Sequence, residues 1–594
     1  MTSTPGRGSR PIRIGNCSGF YGDRASAMAD MARAGGIDVL TGDYLAEVTM
    51  LILGKARAKD TTKGYAATFL QHLDAALERL VANRIKLVVN AGGLNPAGLA
   101  DTTRELIARR GYDLRVSHIG GDDVFGRLDA LQQAGHSMPH LTSGEPLSSW
   151  PHQPLTANAY LGGFGIARAL ANGADVVITG RVTDAALVVG PAAWWWSWTP
   201  NDYDALAGAL AAGHVIECGP QATGGNFSGF RTIADLVQPG FPIAEIAADG
   251  SSVITKNAGT GGAVTRDTVT AQLLYEIGEP AYLNPDVTTH LDTATLTDLG
   301  DDRVEIRGVR GSAPPATTKV AITGVGGWEN SVILALTGTD LDAKAALVER
   351  SVHRYIDAVD GLDVAIDRIG RAQHDPDSQN AGTELLRIAV QGTKETAGRA
   401  FSSRMVELAL SSYPGMYSLG PPQPGSAFGV YWPALLDEAT LEHTVHHHDG
   451  TTETIARGNS QDTRRAVTPQ GDPPLAHASW TDELVVTSLG EIVHARSGDK
   501  GGDANLGVWV RDFQAWEWLK STLTVDELRR LLPETRELAI ERYELPNLGA
   551  INFVLRGLLG TGATSTLRLD SQAKALGEWL RARNTKVPLQ FVKP

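Results

Sequence analysis

Carboxylates, guanidinium groups and amides recur in short glycine-containing runs through the first 230 residues of this chain: Asp23 and Arg24, Asp43 and Glu47, Asn90, Asp122 and Asp123, Arg181 and Asp184, then Gln221 and Asn226. A carboxylate beside an arginine suits proton transfer on a substrate whose own anionic group the arginine clamps. Asp43, Asp123 and Asp184 are thus candidate acids or bases, and Arg24 and Arg181 candidate clamps, with Asn16, Ser18 and Asp23 of the first run as binding positions. The competing reading is that such Asp and Asn side chains only cap turns and helices. Glycine lets main-chain N–H groups approach an anion at a helix start. Gly92-Gly93, next to Asn90, and Gly162-Gly163-Phe164-Gly165 are the two candidate cradles. Neither completes a nucleotide-binding fingerprint, and no Gly-Lys-Ser/Thr phosphate loop is present.

Further candidates lie outside these runs. Cys218, in Glu217-Cys218-Gly219-Pro220-Gln221-Ala222-Thr223-Gly224-Gly225-Asn226, sits where a thiol at a glycine-rich turn is set up as a thiolate nucleophile. A free cysteine is more often a small buried side chain, and Cys17 is read that way. Near the other end, residues 494–505 hold more polar function than a β-connection needs. Asp499 and Lys500 there are candidate catalytic groups, and Asp503 and Asn505 candidate binding groups, completing a site on the larger domain. His443, His446, His447 and His448 precede a turn signal, Asp449-Gly450. Neighbouring residues on a strand point to opposite faces, so no metal site is expected of them. Trp194, Trp195, Trp196 and Trp198 fit an apolar acyl pocket, an interface or a core edge.

The elements that must position these groups follow from apolar runs. Strand, polar loop and amphipathic helix alternate at 12–14, 39–40, 85–89, 114–119 and 176–178, which predicts a mainly parallel sheet with crossover helices. In such a sheet ligands bind at the carboxyl ends of the strands, so the polar loops are expected along one edge. Beyond residue 262 strands at 303–309, 316–323 and 331–336 follow without helices, predicting an α+β subdomain over 263–457. Residues 458–480, rich in Pro, Gly, Thr and Asp, read as a linker. The remaining 481–594 run as strand, loop at 497–505, strand, one helix at 513–532, two strands and a helix, a split pattern of ferredoxin-like type. The fold class is therefore α/β in 12–262, α+β in 263–457 and a small ferredoxin-like domain at the end.

Composition narrows the function. At 594 residues more than one core is expected. A net charge of −14 disfavours nucleic acid and anionic membranes, and no run of about 18 apolar residues is present. Two cysteines suit a reducing compartment, so the expected location is cytoplasmic, with the polar residues 1–13 a frayed tail.

Taken together, these runs resemble the acyclic terpene utilisation (AtuA-type) family. The resemblance is carried by Gly15-Asn16-Cys17-Ser18-Gly19-Phe20-Tyr21-Gly22-Asp23, Thr41-Gly42-Asp43-Tyr44-Leu45-Ala46-Glu47, Asn90-Ala91-Gly92-Gly93-Leu94-Asn95-Pro96, Ile178-Thr179-Gly180-Arg181-Val182-Thr183-Asp184, the Glu217 to Asn226 run and Lys256-Asn257-Ala258-Gly259-Thr260-Gly261-Gly262. The tail, with Arg496-Ser497-Gly498-Asp499-Lys500-Gly501-Gly502-Asp503-Ala504-Asn505, looks like the companion ferredoxin-like domain. The resemblance implies a place in the breakdown of terpenoid acyl-CoA thioesters and assigns no catalytic residue. The leading expectation is an enzyme of acyclic terpenoid or branched-chain acyl-CoA catabolism, at a hydratase or lyase step, with coenzyme A only as part of the substrate and no other cofactor. The alternatives are a Cys218-dependent acyl transferase or thioesterase, and a non-catalytic assembly partner of an acyl-CoA carboxylase or dehydrogenase. A homo-oligomer is expected.

Overall fold

The computed structural model of the chain describes residues 6–456, 458 and 483–592. Six short strands, almost wholly buried, open the chain: β1 (Ile12–Asn16), β2 (Val39–Gly42), β3 (Lys86–Val89), β4 (Val116–Gly120), β5 (Pro154–Ala159) and β6 (Val176–Thr179). Apolar β-branched runs covered on both faces belong in a parallel sheet, and five of the six form one, in the order β1-β2-β3-β6-β4. Helices α1 (Ala27–Ala34), α2 (Glu47–Lys59), α3 (Thr68–Ala82), α4 (Pro96–Arg109), α5 (Leu128–Gln133), α6 (Phe164–Ala171), α7 (Ala186–Trp196) and α8 (Tyr203–Ile216) connect or cover these strands. Because the five strands run the same way, the loops after β1, β2, β3, β4 and β6 share one edge, as expected.

The sheet as a whole is mixed and has eleven strands. Pro242–Ile246, Ser252–Lys256, Arg303–Arg307 and Thr295–Gly300 extend it antiparallel beyond β1, and Thr444–His446 with Thr452–Thr454 extend it beyond β4. The change of rhythm at residue 262 is therefore not a break in the sheet. The expected linker at 458–480 lies, apart from Gly458, outside the described residues.

β5 leaves this sheet for a second one, where it pairs with the first half of a 21-residue strand, Thr317–Thr337. Ser426–Asp437 pairs along that same half, and Thr383–Gly392 along the other. The two strands expected at 316–323 and 331–336 are one. The glycines between them accommodate a register shift between Val325 and Gly327 rather than a turn.

At the end of the chain Val493–Lys500, Asp503–Val510, Ala550–Leu555 and Ile540–Leu545 form an antiparallel sheet in that order. The loop expected at 497–505 is instead the tip of a hairpin that turns at Gly501-Gly502, with Gly501 at φ 66°. The single helix expected at 513–532 is divided, because Thr524 caps a new helix, Val525–Leu531, through Glu527 N–H at 3.1 Å. The tryptophan run lies at a core edge, with Trp196 and Trp198 partly buried against the main cluster. Trp194 and Trp195 are buried in the main core, and the indoles of Trp195, Trp196 and Trp198 donate to the carbonyls of Arg10, Ile246 and Ala248.

Candidate active site

The loops at the strand edge interlock through buried hydrogen bonds. Asn16 Nδ2 donates to Glu217 O at 3.2 Å, while its Oδ1 accepts from Ser18 N–H at 2.9 Å. Ser18 Oγ donates to the carbonyl of Asp43 at 2.8 Å. Asn90, fully buried, donates to Asp43 Oδ1 at 2.6 Å and accepts from Tyr44 N–H at 2.7 Å. Asp122 accepts from Asn158 Nδ2 and from Arg181 N–H, both at 2.8 Å, tying the end of β4 to the ends of β5 and β6. These five residues set the backbone on which the reactive side chains stand.

From that base a relay of charged groups extends. Arg181, 3 % exposed, donates to Asp184 at 2.7 Å and to the Tyr160 hydroxyl at 2.9 Å, its guanidinium lying 4.2 Å from the Tyr160 ring centre. Tyr160 donates to Glu47 at 3.2 Å, and Lys319 reaches the same Glu47 oxygen at 3.4 Å. Glu47, Asp184 and Lys319 keep about a third of their side-chain surface, the exposure of groups on the wall of a cleft. Glu47 comes from the first residue of α2, where helix N-terminal N–H groups favour its charge.

The C-terminal domain closes on this cleft. Lys500 Nζ donates to the carbonyl of Glu276 at 2.6 Å and lies 5.2 Å from the Tyr282 ring centre. A Cβ on the next residue, Gly501, would lie 3.9 Å from the Tyr431 ring, whose other neighbour is Lys319. Lys574 bridges Glu276 at 2.8 Å and Asp499 at 3.1 Å, and the Arg496 guanidinium stacks over Tyr275 at 4.1 Å. Asn505, fully buried, donates to Leu274 O at 2.7 Å and accepts from Glu276 N–H at 2.8 Å. Glu217 completes the wall, its carboxylate 3.2 Å from His214 Nδ1.

The electrostatics divide these groups. Burial opposes charge on Glu47, but Lys319 and Arg181 outweigh it and hold the carboxyl at about 2. Burial and the charge of Asp184 push Asp43 well up, and burial with Asp184 and Glu276 does the same to Glu217. Asp499 rises to about 6 through burial and Glu276. Lys500 falls to about 8, through desolvation by the surrounding protein and the neighbouring Lys319 charge, although Glu276, Glu217 and Glu47 pull the other way. Its side chain is open to solvent, so this desolvation is that of a cleft and not of a closed core. Within the cleft Glu47 is held as a carboxylate, while Asp43 and Glu217 are shifted toward the neutral acid and Lys500 toward the free amine.

Several expected site residues serve otherwise. Asp123 pairs with Arg57 at 2.7 Å, away from Arg181. Asp23 accepts from Gly19 and Arg24 N–H and shapes its own loop, and Arg24 packs over Phe241. Gly92 and Gly93 approach protein and not a ligand: a Cβ on Gly92 would sit 2.5 Å from the Thr179 oxygen, and one on Gly93 2.8 Å from that of Gly64. The second cradle is filled by the chain itself, since Asp286 accepts from Gly163 N–H at 2.7 Å at the start of α6. Gln221 and the Asn226 carbonyl accept from Arg496 and hold the domains together, while Asp503 is bound to Arg556 and Gly557 N–H within its own domain. Burial followed by Glu217, Glu276, Asp43 and Asp184 pushes the Cys218 thiol up, which opposes a thiolate. His446 stacks on His118 at 4.4 Å and His447 reaches Glu453 at 3.3 Å; among the described residues no three His, Cys, Asp or Glu side chains group as a metal site. No described helix is long and apolar enough to cross a membrane.

Sequence reasoning missed Tyr160, Lys319, Tyr431, Glu276 and Tyr282, and passed over Glu217 beside Cys218. Two family descriptions match most of the chain, one over the part that carries the strand edge and one over the terminal domain. Residues 12–447 match the acyclic terpene utilisation family protein AtuA, and residues 487–586 the AtuA ferredoxin-like domain. The chain belongs to the acyclic terpene utilisation family. Its terminal domain is the ferredoxin-like domain of that family, and membership places the chain with acyclic terpene utilisation. No curated protein and no solved structure gives a match.

Proposed function

We propose that the chain is an enzyme of acyclic terpenoid or branched-chain acyl-CoA catabolism that catalyses a proton-transfer step of hydratase or lyase type. What supports this reading is that Glu217 and Asp43, whose burial and acidic neighbours favour the neutral acid, share one cleft with Lys500, whose desolvation and neighbouring Lys319 favour the free amine. General acid and base catalysis is strongest where both partners titrate near the working pH. Lys500 takes the proton, Glu217 returns one, and the Arg181–Tyr160–Glu47–Lys319 relay holds the charge of the site constant meanwhile. Asp184, half-exposed and bound to Arg181, orients the guanidinium toward the cleft.

The alternatives have less behind them. A Cys218 thioester mechanism needs a thiolate where burial and the neighbouring acidic side chains oppose one. An assembly partner would favour a tail that stands apart, whereas this one is docked through Asn505, Arg496 and Lys574. The test is incubation with straight and branched 2-enoyl-CoA and 3-hydroxyacyl-CoA thioesters in H2(18)O, read by mass spectrometry, with calorimetry for binding. Oxygen-18 in a 3-hydroxyacyl product, or cleavage of the 3-hydroxyacyl chain, supports the proposal. A folded protein that neither binds nor converts any of them overturns it.

A further inference from the structure

Three lysines stand at the cleft, and they differ in what holds them. Lys319 is paired with Glu47, and Lys574 with Glu276 and Asp499. Lys500 makes no ion pair among the described residues; its hydrogen bond goes to a main-chain carbonyl, and its Nζ faces the Tyr282 ring with the Lys319 ammonium nearby. The carbonyl and the ring both favour –NH3⁺, but neither holds the proton as the carboxylates hold it on Lys319 and Lys574. A lysine next to another cation in a cleft is the setting in which an amine becomes a nucleophile toward carbonyl compounds.

We propose that Lys500 forms a covalent imine with a carbonyl compound that also carries an oxyanion, of the 3-oxo acid class. The neutral Nζ attacks the carbonyl carbon. The carbonyl oxygen takes the proton of the Glu217 carboxyl, and the attacking nitrogen returns one proton to Glu217, leaving a neutral carbinolamine. Glu217 then protonates the hydroxyl, which departs as water while the nitrogen lone pair closes the C=N bond. The balance is ketone plus amine plus one proton, giving iminium plus water, with Glu217 left as carboxylate. Lys319, which stays an ammonium, neutralises the oxyanion of the same molecule. The iminium withdraws electrons from the adjacent carbon, so carbon–carbon cleavage next to it, with the electron pair passing to nitrogen, is the reaction it prepares. Lowered to about 8, Lys500 carries a larger share of neutral amine at pH 7 than a free lysine does.

The imine uses the same cleft as the proton-transfer reading but does not depend on a thioester, so each can fail alone. The test treats the full chain with acetoacetate or 3-oxooctanoate and sodium borohydride, then measures intact mass and maps the modified peptide. A reduced adduct at Lys500, with or without the carboxyl group, is the expected result; Lys319 and Lys574 stay unmodified. Lys500→Arg, with a melting curve matching the native chain, abolishes the adduct. Absence of any adduct with both acids, or an adduct spread over surface lysines and unchanged in Lys500→Arg, overturns the proposal. If Lys500→Arg does not fold, the peptide map of the native chain alone decides. Enoyl-CoA hydration without an adduct would sink the imine and spare the proton-transfer reading.

Discussion

Asp122 offers the sharpest test of the electrostatics beneath the site. It is 2 % exposed, and the partners that bind its carboxyl are neutral N–H donors, from Asn158 and the Arg181 backbone. Burial raises it from 3.8 to about 7 against those donors. A group raised by about 3 units carries about 4 kcal/mol of folding free energy between its two protonation states. Because the folded value is the higher one, that stability is fully present below pH 4. It is lost as pH rises from about 4 to about 7, and above that the loss is constant. Asp122→Asn mimics the protonated acid, and its amide oxygen still accepts from both donors. The variant should already exceed the native chain by about 1.5 kcal/mol at pH 5, and by up to about 4 kcal/mol at pH 8 to 9. Melting temperatures of both chains measured by calorimetry from pH 4.5 to 9 give the difference curve, in which every other titrating group cancels. If Asp122→Asn lowers the melting point by the same amount at every pH, Asp122 is an ordinary ionised acceptor and the reasoning fails.

Other outcomes follow from the same contacts. Arg181→Met leaves Asp43, Asp184 and Glu47 without their shared cation, which should cost about 3–5 kcal/mol by calorimetry and abolish turnover. Asn505→Ala unpairs the Leu274 carbonyl and the Glu276 N–H at the domain junction, each worth about 1–3 kcal/mol, and should lower the melting point while raising KM more than it lowers kcat. Cys218→Ser should keep full activity, and native Cys218 should react with iodoacetamide more slowly than a free thiol at pH 8; rapid labelling coupled to inactivation would restore the thiolate reading.

The βα part of the fold was legible because each unit is local: an apolar run, a polar loop and a helix lie within some thirty residues, so Asp43, Asn90, Arg181 and Asp184 could be placed on one edge from sequence. Tyr160 and Lys319 were not legible for the opposite reason. They meet only because β5 leaves the main sheet to pair with Thr317–Thr337, over 150 residues away, and nothing in the alternation of that strand marks Lys319. Glycine misled in two places. At Gly92 and Gly163 it signals close approach, but the atoms that approach are Thr179 O and the Asp286 carboxylate. The polar part of the hairpin at 497–505 read as a loop because hydrophilic residues such as Arg496 and Asn505 are buried against the other domain, where tertiary pairing overrides the usual alternation.

The junction built by Asn505 also has a meaning in time. Its partner N–H, on Glu276, precedes it by 229 residues. At a synthesis rate of about 5–20 residues per second, the segment around Glu276 waits roughly 10–45 s on the ribosome before the strand that covers it exists. Through that interval the strand edge with Arg181 and Glu47 is assembled but lacks Lys500, so a growing or truncated polypeptide holds the binding half of the cleft without its amine. On the role proposed for Lys500, reactivity is thereby postponed to the last stage of the chain's own production.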